Sequence, residues 1–146
     1  MNNRVNNKVT LISLTSCILS VDNNKKILNL EVINDKYIKQ ESLNLLEYIK
    51  TFWVVAKENN DCYHFIINIH ALGIYPLSLF QIIKDCLIEI EYIFKEHLHS
   101  SCIIVDSPTI VSILKPLFNI YKTSRPFTFV KNYEDGLMFI NKNKIK

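Results

Sequence analysis

Between Tyr63 and His70 the chain reads Tyr-His-Phe-Ile-Ile-Asn-Ile-His, and both alternating sets of residues are apolar. Phe65, Ile67 and Ile69 share one side of an extended segment, while Cys62, His64 and Ile66 share the other. A strand that is apolar on both faces has to be covered on both, which places it inside a sheet with helices above and below. A short loop with Gly73 and Pro76 follows, and then Leu79, Ile83, Cys86, Leu87, Ile90, Phe94 and Leu98 recur at helical spacing among charged residues. Strand followed by helix is the unit of an α/β sheet, and the segments on either side repeat it.

Upstream, Val9–Val21 is rich in β-branched and apolar residues and reads as one strand, bent or broken near Ser16. Asp22-Asn23-Asn24-Lys25 is a turn, and the apolar residues from Ile27 to Val32 close an antiparallel hairpin. Ser42 is placed to cap an amphipathic helix through Leu46, Ile49, Trp53 and Ala56 that ends near Asn59. Downstream, Ser101–Val105 is a short buried strand. Asp106-Ser107-Pro108 starts a third helix, which Pro116 should kink or divide. Phe127–Val130 is a last strand and Tyr133–Ile140 a terminal helix. The order is β-β-α-β-α-β-α-β-α, an α/β fold with a mostly parallel mixed sheet of about five strands. Residues 9–140 form a single domain, flanked by a disordered N-terminus (1–8) and a disordered basic tail (141–146).

With 146 residues there is material for one core. Two glycines cannot write a Walker loop or a dinucleotide fingerprint, so those cofactor sites are excluded and no cofactor is expected. Net charge is +3, and only Arg4 and Arg125 are arginines. The lysines are scattered apart from Lys25-Lys26 and the tail, which argues for a solvated surface and against a nucleic-acid partner. None of the four cysteines forms a Cys-x-x-Cys pair. They read as core residues of a protein in a reducing, cytoplasmic compartment, with neither a signal peptide nor a transmembrane segment.

The strand ending Ile66-Ile67-Asn68-Ile69-His70, the passage Ile103-Ile104-Val105-Asp106-Ser107-Pro108, and Phe127-Thr128-Phe129-Val130 followed by Tyr133–Ile140 carry a resemblance. Together with the element order they resemble the STAS fold of bacterial anti-sigma-factor antagonists, over roughly Val9 to Ile140. The apolar helix Ser107–Phe118 with its internal proline is also similar to the core of CRAL-TRIO (Sec14-type) lipid-binding domains, which are longer. STAS phosphoswitches carry an Asp-Ser pair in the loop before the long helix. Here that region reads Ile74-Tyr75-Pro76-Leu77-Ser78, without the acidic partner, so the resemblance does not extend to that switch.

Ligands of parallel α/β sheets sit at the carboxyl ends of the strands. Asn68, His70, Tyr75, Asp106, Ser107 and Lys131 fall there. His70, Asp106 and Ser107 hold the side chains of a hydrolytic triad, but no nucleophile elbow surrounds Ser107 and Pro108 suits a cap. His97, His99 and Cys102 lack a fourth ligand for a zinc site, so no metal is expected. Lys122, Arg125 and Lys131 with Tyr121 form at most a small basic patch.

The expectation is a non-enzymatic regulatory or protein-interaction module of STAS-like type. Its contact or ligand surface runs over His70, Gly73, Ile74, Tyr75, Pro76, Leu77, Ser78 and Phe80, with Asp106 and Ser107 beside it. Its partner is a protein, and a homodimer through an edge strand or a helix face is a further option. A small lipid- or apolar-ligand-binding domain is the alternative, and a hydrolase the third reading.

Overall fold

The computed structural model describes residues 8–71, 77–120 and 125–143, with backbone alone for 77–80 and 117–120. Its strands are β1 (Lys8–Ser13), β2 (Cys17–Asp22), β3 (Ile27–Val32), β4 (Tyr63–Asn68), β5 (Leu98–Ile104) and β6 (Phe127–Val130). The helices are α1 (Lys39–Glu58), α2 (Leu77–Glu89), α3 (Glu91–His97), α4 (Pro108–Ile120) and α5 (Tyr133–Asn141). The strands lie in the sheet in chain order: β1, β2 and β3 pair antiparallel, and β3 to β6 pair parallel.

That order decides the layers. Each parallel crossover steps the same way along the sheet, so right-handed connections put their helices on one face. α5 follows the last strand and packs on the opposite face, where Ile140, Leu137 and Phe139 meet Ile27, Ile66, Cys102 and Ile104. On the first face α1 and α3 bury Leu45, Ile49, Trp53, Ala56, Ile93 and Phe94 against Leu19, Leu28 and Phe65. Ile83 of α2 and Ile110, Val111 and Leu114 of α4 extend this layer over Ile69, Ile103 and Val105. β4 is thus covered on both sides, as its residue pattern requires. α5 approaches β5 closely at Gly136, where an added Cβ would stand 3.2 Å from the Cys102 Sγ.

Three expectations are corrected. The sheet has six strands, not about five, because Val9–Val21 is two strands joined by a turn at 14–16. That turn is held from a distance: the Thr15 N–H donates to Glu41 Oε1 (2.7 Å) and Asn34 Nδ2 donates to the Thr15 carbonyl (2.9 Å). The long helix is divided at Ile90, where φ is −104° and ψ 9°, so the order is β-β-β-α-β-α-α-β-α-β-α. No glycine or proline marks the break; it lets Ile90, Ile93 and Phe94 all enter the Trp53 cluster. Ser42 is not the cap of α1, which starts after Ile38 without a side-chain cap. β1 begins at Lys8, and α5 reaches Asn141 with Asn143 Nδ2 bonded back to the Phe139 carbonyl (2.8 Å). α4, by contrast, continues past Pro116 without being divided.

Candidate functional site

At the carboxyl ends of β3, β4 and β5, on the α5 face, lies a cleft of ≈ 420 Å³. Registers place Glu31, Asn68, Ile104 and Val130 in one row across the strands, and the first three of these line the cleft. His70 and Ala71 come from the end of β4, and Lys131, Asn132 and Tyr133 from the turn into α5. The local chemistry builds that turn. Asn132 caps α5 by accepting from the Asp135 N–H at 2.8 Å, with Glu134 and Asp135 in the first turn where the helix dipole favours them. Asn68 Oδ1 accepts from the His70 N–H (3.0 Å), which turns the chain out of the strand.

The rim carries both signs: Glu31 and Lys131 are exposed, and so is His70. Tyr133 donates to Asn29 Oδ1 at 3.5 Å, and burial, followed by the Asp22 and Cys102 charges, pushes its phenol upward. Asn29 is itself 5% exposed, and its Nδ2 has no hydrogen-bond partner.

Of the residues named from sequence, His70, Asn68 and Lys131 meet in this cleft. Ser107 and Asp106 do not line it. The Ser107 hydroxyl accepts from the Ile110 N–H at 3.3 Å and caps α4, with Pro108 at the first helical position. Gly73, Ile74, Tyr75 and Pro76 lie outside the described residues. So do Tyr121 and Lys122, and so do the side chains of Leu77, Ser78 and Phe80. The basic patch does not assemble around its two described members. Lys131 follows β6, whereas Arg125 precedes it and donates to the Leu98 (3.0 Å) and His99 (3.2 Å) carbonyls at the other end of the sheet. Glu31, Asn132 and Tyr133 were missed from sequence. A signal for Glu31 existed: with Asn29 it interrupts the apolar run of β3 on alternate positions, marking a second, more polar face.

All four cysteines are free. Burial pushes Cys86 up to about 11 and Cys102 up to about 12, the chemistry of inert core thiols. Among the described residues there is no group of three or more ligating side chains fit to hold a metal ion, and no helix long and apolar enough to cross a membrane.

No protein-family model matches the chain, and none of the curated proteins does. Among solved structures, apo-SiaC from Pseudomonas aeruginosa is similar with a TM-score of 0.57 at 12% sequence identity, over 84% of this chain and 98% of that one. At that identity the likeness is one of fold, and it extends over nearly the whole of the other chain.

Proposed function

We propose that the protein is a non-enzymatic regulatory module of STAS-like type that docks a protein partner on the carboxyl-end face of its sheet. The observation carrying this reading is the make-up of the cleft: an open floor rimmed by exposed groups of both signs, Glu31, His70 and Lys131. A mixed-sign, exposed rim suits a protein surface, whose charges set orientation and specificity. A hydrolase would need a convergent nucleophile here, and the nearby serine is engaged in capping α4.

The test is native mass spectrometry of the protein purified from its own cells, beside the variants Lys131→Glu and Glu31→Lys. A stoichiometric protein partner is expected, its affinity falling about 10-fold or more on charge reversal at the rim. A bound mass of a few hundred daltons, released by denaturation, would replace this reading with the apolar-ligand one. A complex indifferent to both reversals would move the docking surface elsewhere.

A further inference from the structure

The opposite end of the same sheet face holds a second cavity, of ≈ 360 Å³, beneath the last turn of α5. It is shaped by an irregularity in the β4–β5 ladder. Tyr63 pairs with Leu98 and Phe65 with Ser101, so two residues of β5, His99 and Ser100, stand opposite the single residue His64. Such a bulge re-aims side chains, and both neighbours meet the histidine. His64 Nδ1 is 2.7 Å from Ser100 Oγ, and the His64 and His99 rings lie with centroids 4.7 Å apart and planes at 32°. His64 is 2% exposed and Ser100 fully buried, so the pair is locked; His99 is half-buried at the cavity wall.

Across from the histidines, the β2–β3 turn contributes Asn24, Lys25 and Lys26. The turn is rigid: Asp22 Oδ1 accepts from the Asn24 and Lys25 N–H groups, both at 3.0 Å, and Lys26 takes a positive φ of 56°. Lys26 also reaches Asp61 at 3.7 Å and sits over the Tyr63 ring at 5.1 Å. Ile27, Leu137 and Ile140 give the cavity an apolar side, and among the described residues no carboxylate lines it. Two of the last carbonyls of α5 are already engaged: Phe139 accepts from Lys142 N–H (3.2 Å) and Asn143 Nδ2 (2.8 Å), and Ile140 from Asn143 N–H (3.1 Å).

We propose that this amino-end pocket binds a small organic anion, its carboxylate or phosphate held between the Lys25–Lys26 turn and the His64/His99 pair and its apolar body against Ile27, Leu137 and Ile140. A cavity of this size with an apolar wall and a few convergent donors is the usual form of a small-molecule site. Lys25 is exposed at its mouth, where its charge favours an anion. The site lies at the other end of α5 from the docking cleft and does not depend on it.

The test titrates the full chain at constant ionic strength with phenyl phosphate and benzoate, and with inorganic phosphate and phenol as the separated halves. Histidine ring signals are followed by NMR. The expected result is a saturable shift of His64 and His99, with His70 unmoved, and at least one whole anion binding about 10-fold tighter than either half. The tighter of the two identifies the head group. Lys25→Ala with Lys26→Ala should weaken that binding about 10-fold, and Lys25→Ala alone, at an exposed position, should weaken it measurably should the double variant unfold. No saturable shift, whole anions binding no better than their halves, or affinity untouched in the lysine variants would each overturn the proposal.

Discussion

On the face of the sheet beneath α1 to α4, Trp53 sits fully buried with Phe52, Tyr63 and Phe94 edge-on to it at 5.5, 6.3 and 5.1 Å, and Phe65 tilted at 6.1 Å. On the face beneath α5 the same strands bury Ser20, Asn29, His64 and Ser100 among fewer apolar neighbours. Four helices close the first face, whereas one nine-residue helix lies over the second, and both cavities open beside its two ends. The contrast separates stability from recognition. Close aromatic packing on one side supplies the burial that holds the domain together. That surplus permits polar groups, a ladder irregularity and open space on the other.

Truncating the aromatic centre is the strongest way to break this comparison. Trp53→Ala should cost about 3–5 kcal/mol in urea unfolding, and Ile140→Ala on the α5 face about 2–3 kcal/mol. Equal losses would mean that the single helix carries as much of the fold as the four. Alkaline unfolding sharpens the same point through Cys102, which lies under α5 with its thiol raised by burial from an ordinary 9.0 to about 12. The folded state holds this proton more tightly than the unfolded chain. Its contribution is therefore complete below pH 9 and falls as pH rises towards 12, at up to about 1.4 kcal/mol per pH unit. Cys102→Ala should start from a lower stability and decline less steeply over that window, leaving Cys17 and Cys86 as the other raised core thiols, Cys86 with a shorter range, to about 11.

The smallest effect is the most discriminating. Leu28 and Asn29 are neighbours in β3 that point to opposite faces, at 0% and 5% exposure. Asn29→Leu removes a buried amide whose Nδ2 is unpartnered, and chemical denaturation should find it neutral or stabilising by up to about 1 kcal/mol. A loss greater than that would give the amide a structural role instead, and the polar face would no longer be a reserve for binding.

Much of this architecture is legible along the chain. The doubly apolar β4, the Asp22–Lys25 turn, the Ser107-Pro108 helix start and the short closing helix depend on residues within a few positions of one another, where period, capping and turn chemistry act directly. At the first turn of the sheet only the break near Ser16 was legible; that it folds two strands against each other was not, because Glu41 and Asn34 hold it from distant sequence positions. The division at Ile90 was not legible either, since it answers the packing of Trp53 rather than any local breaker. At the carboxyl-end cleft, Asn68, His70 and Lys131 were readable as strand-end residues, while Tyr133 joins them only because α5 folds back over the sheet.

By itself, then, the amino-acid sequence determined the periodicities: which segments are strands or helices, which residues must be buried, and that β4 needs cover on both sides. The tertiary structure alone decided which helix covers which face, because that follows from the direction in which successive crossovers step. It also decided where ladder register slips. A one-residue mismatch between β4 and β5 brings His64, His99 and Ser100 together although 35 to 36 positions separate the first from the others, and no local pattern encodes a pairing across that distance.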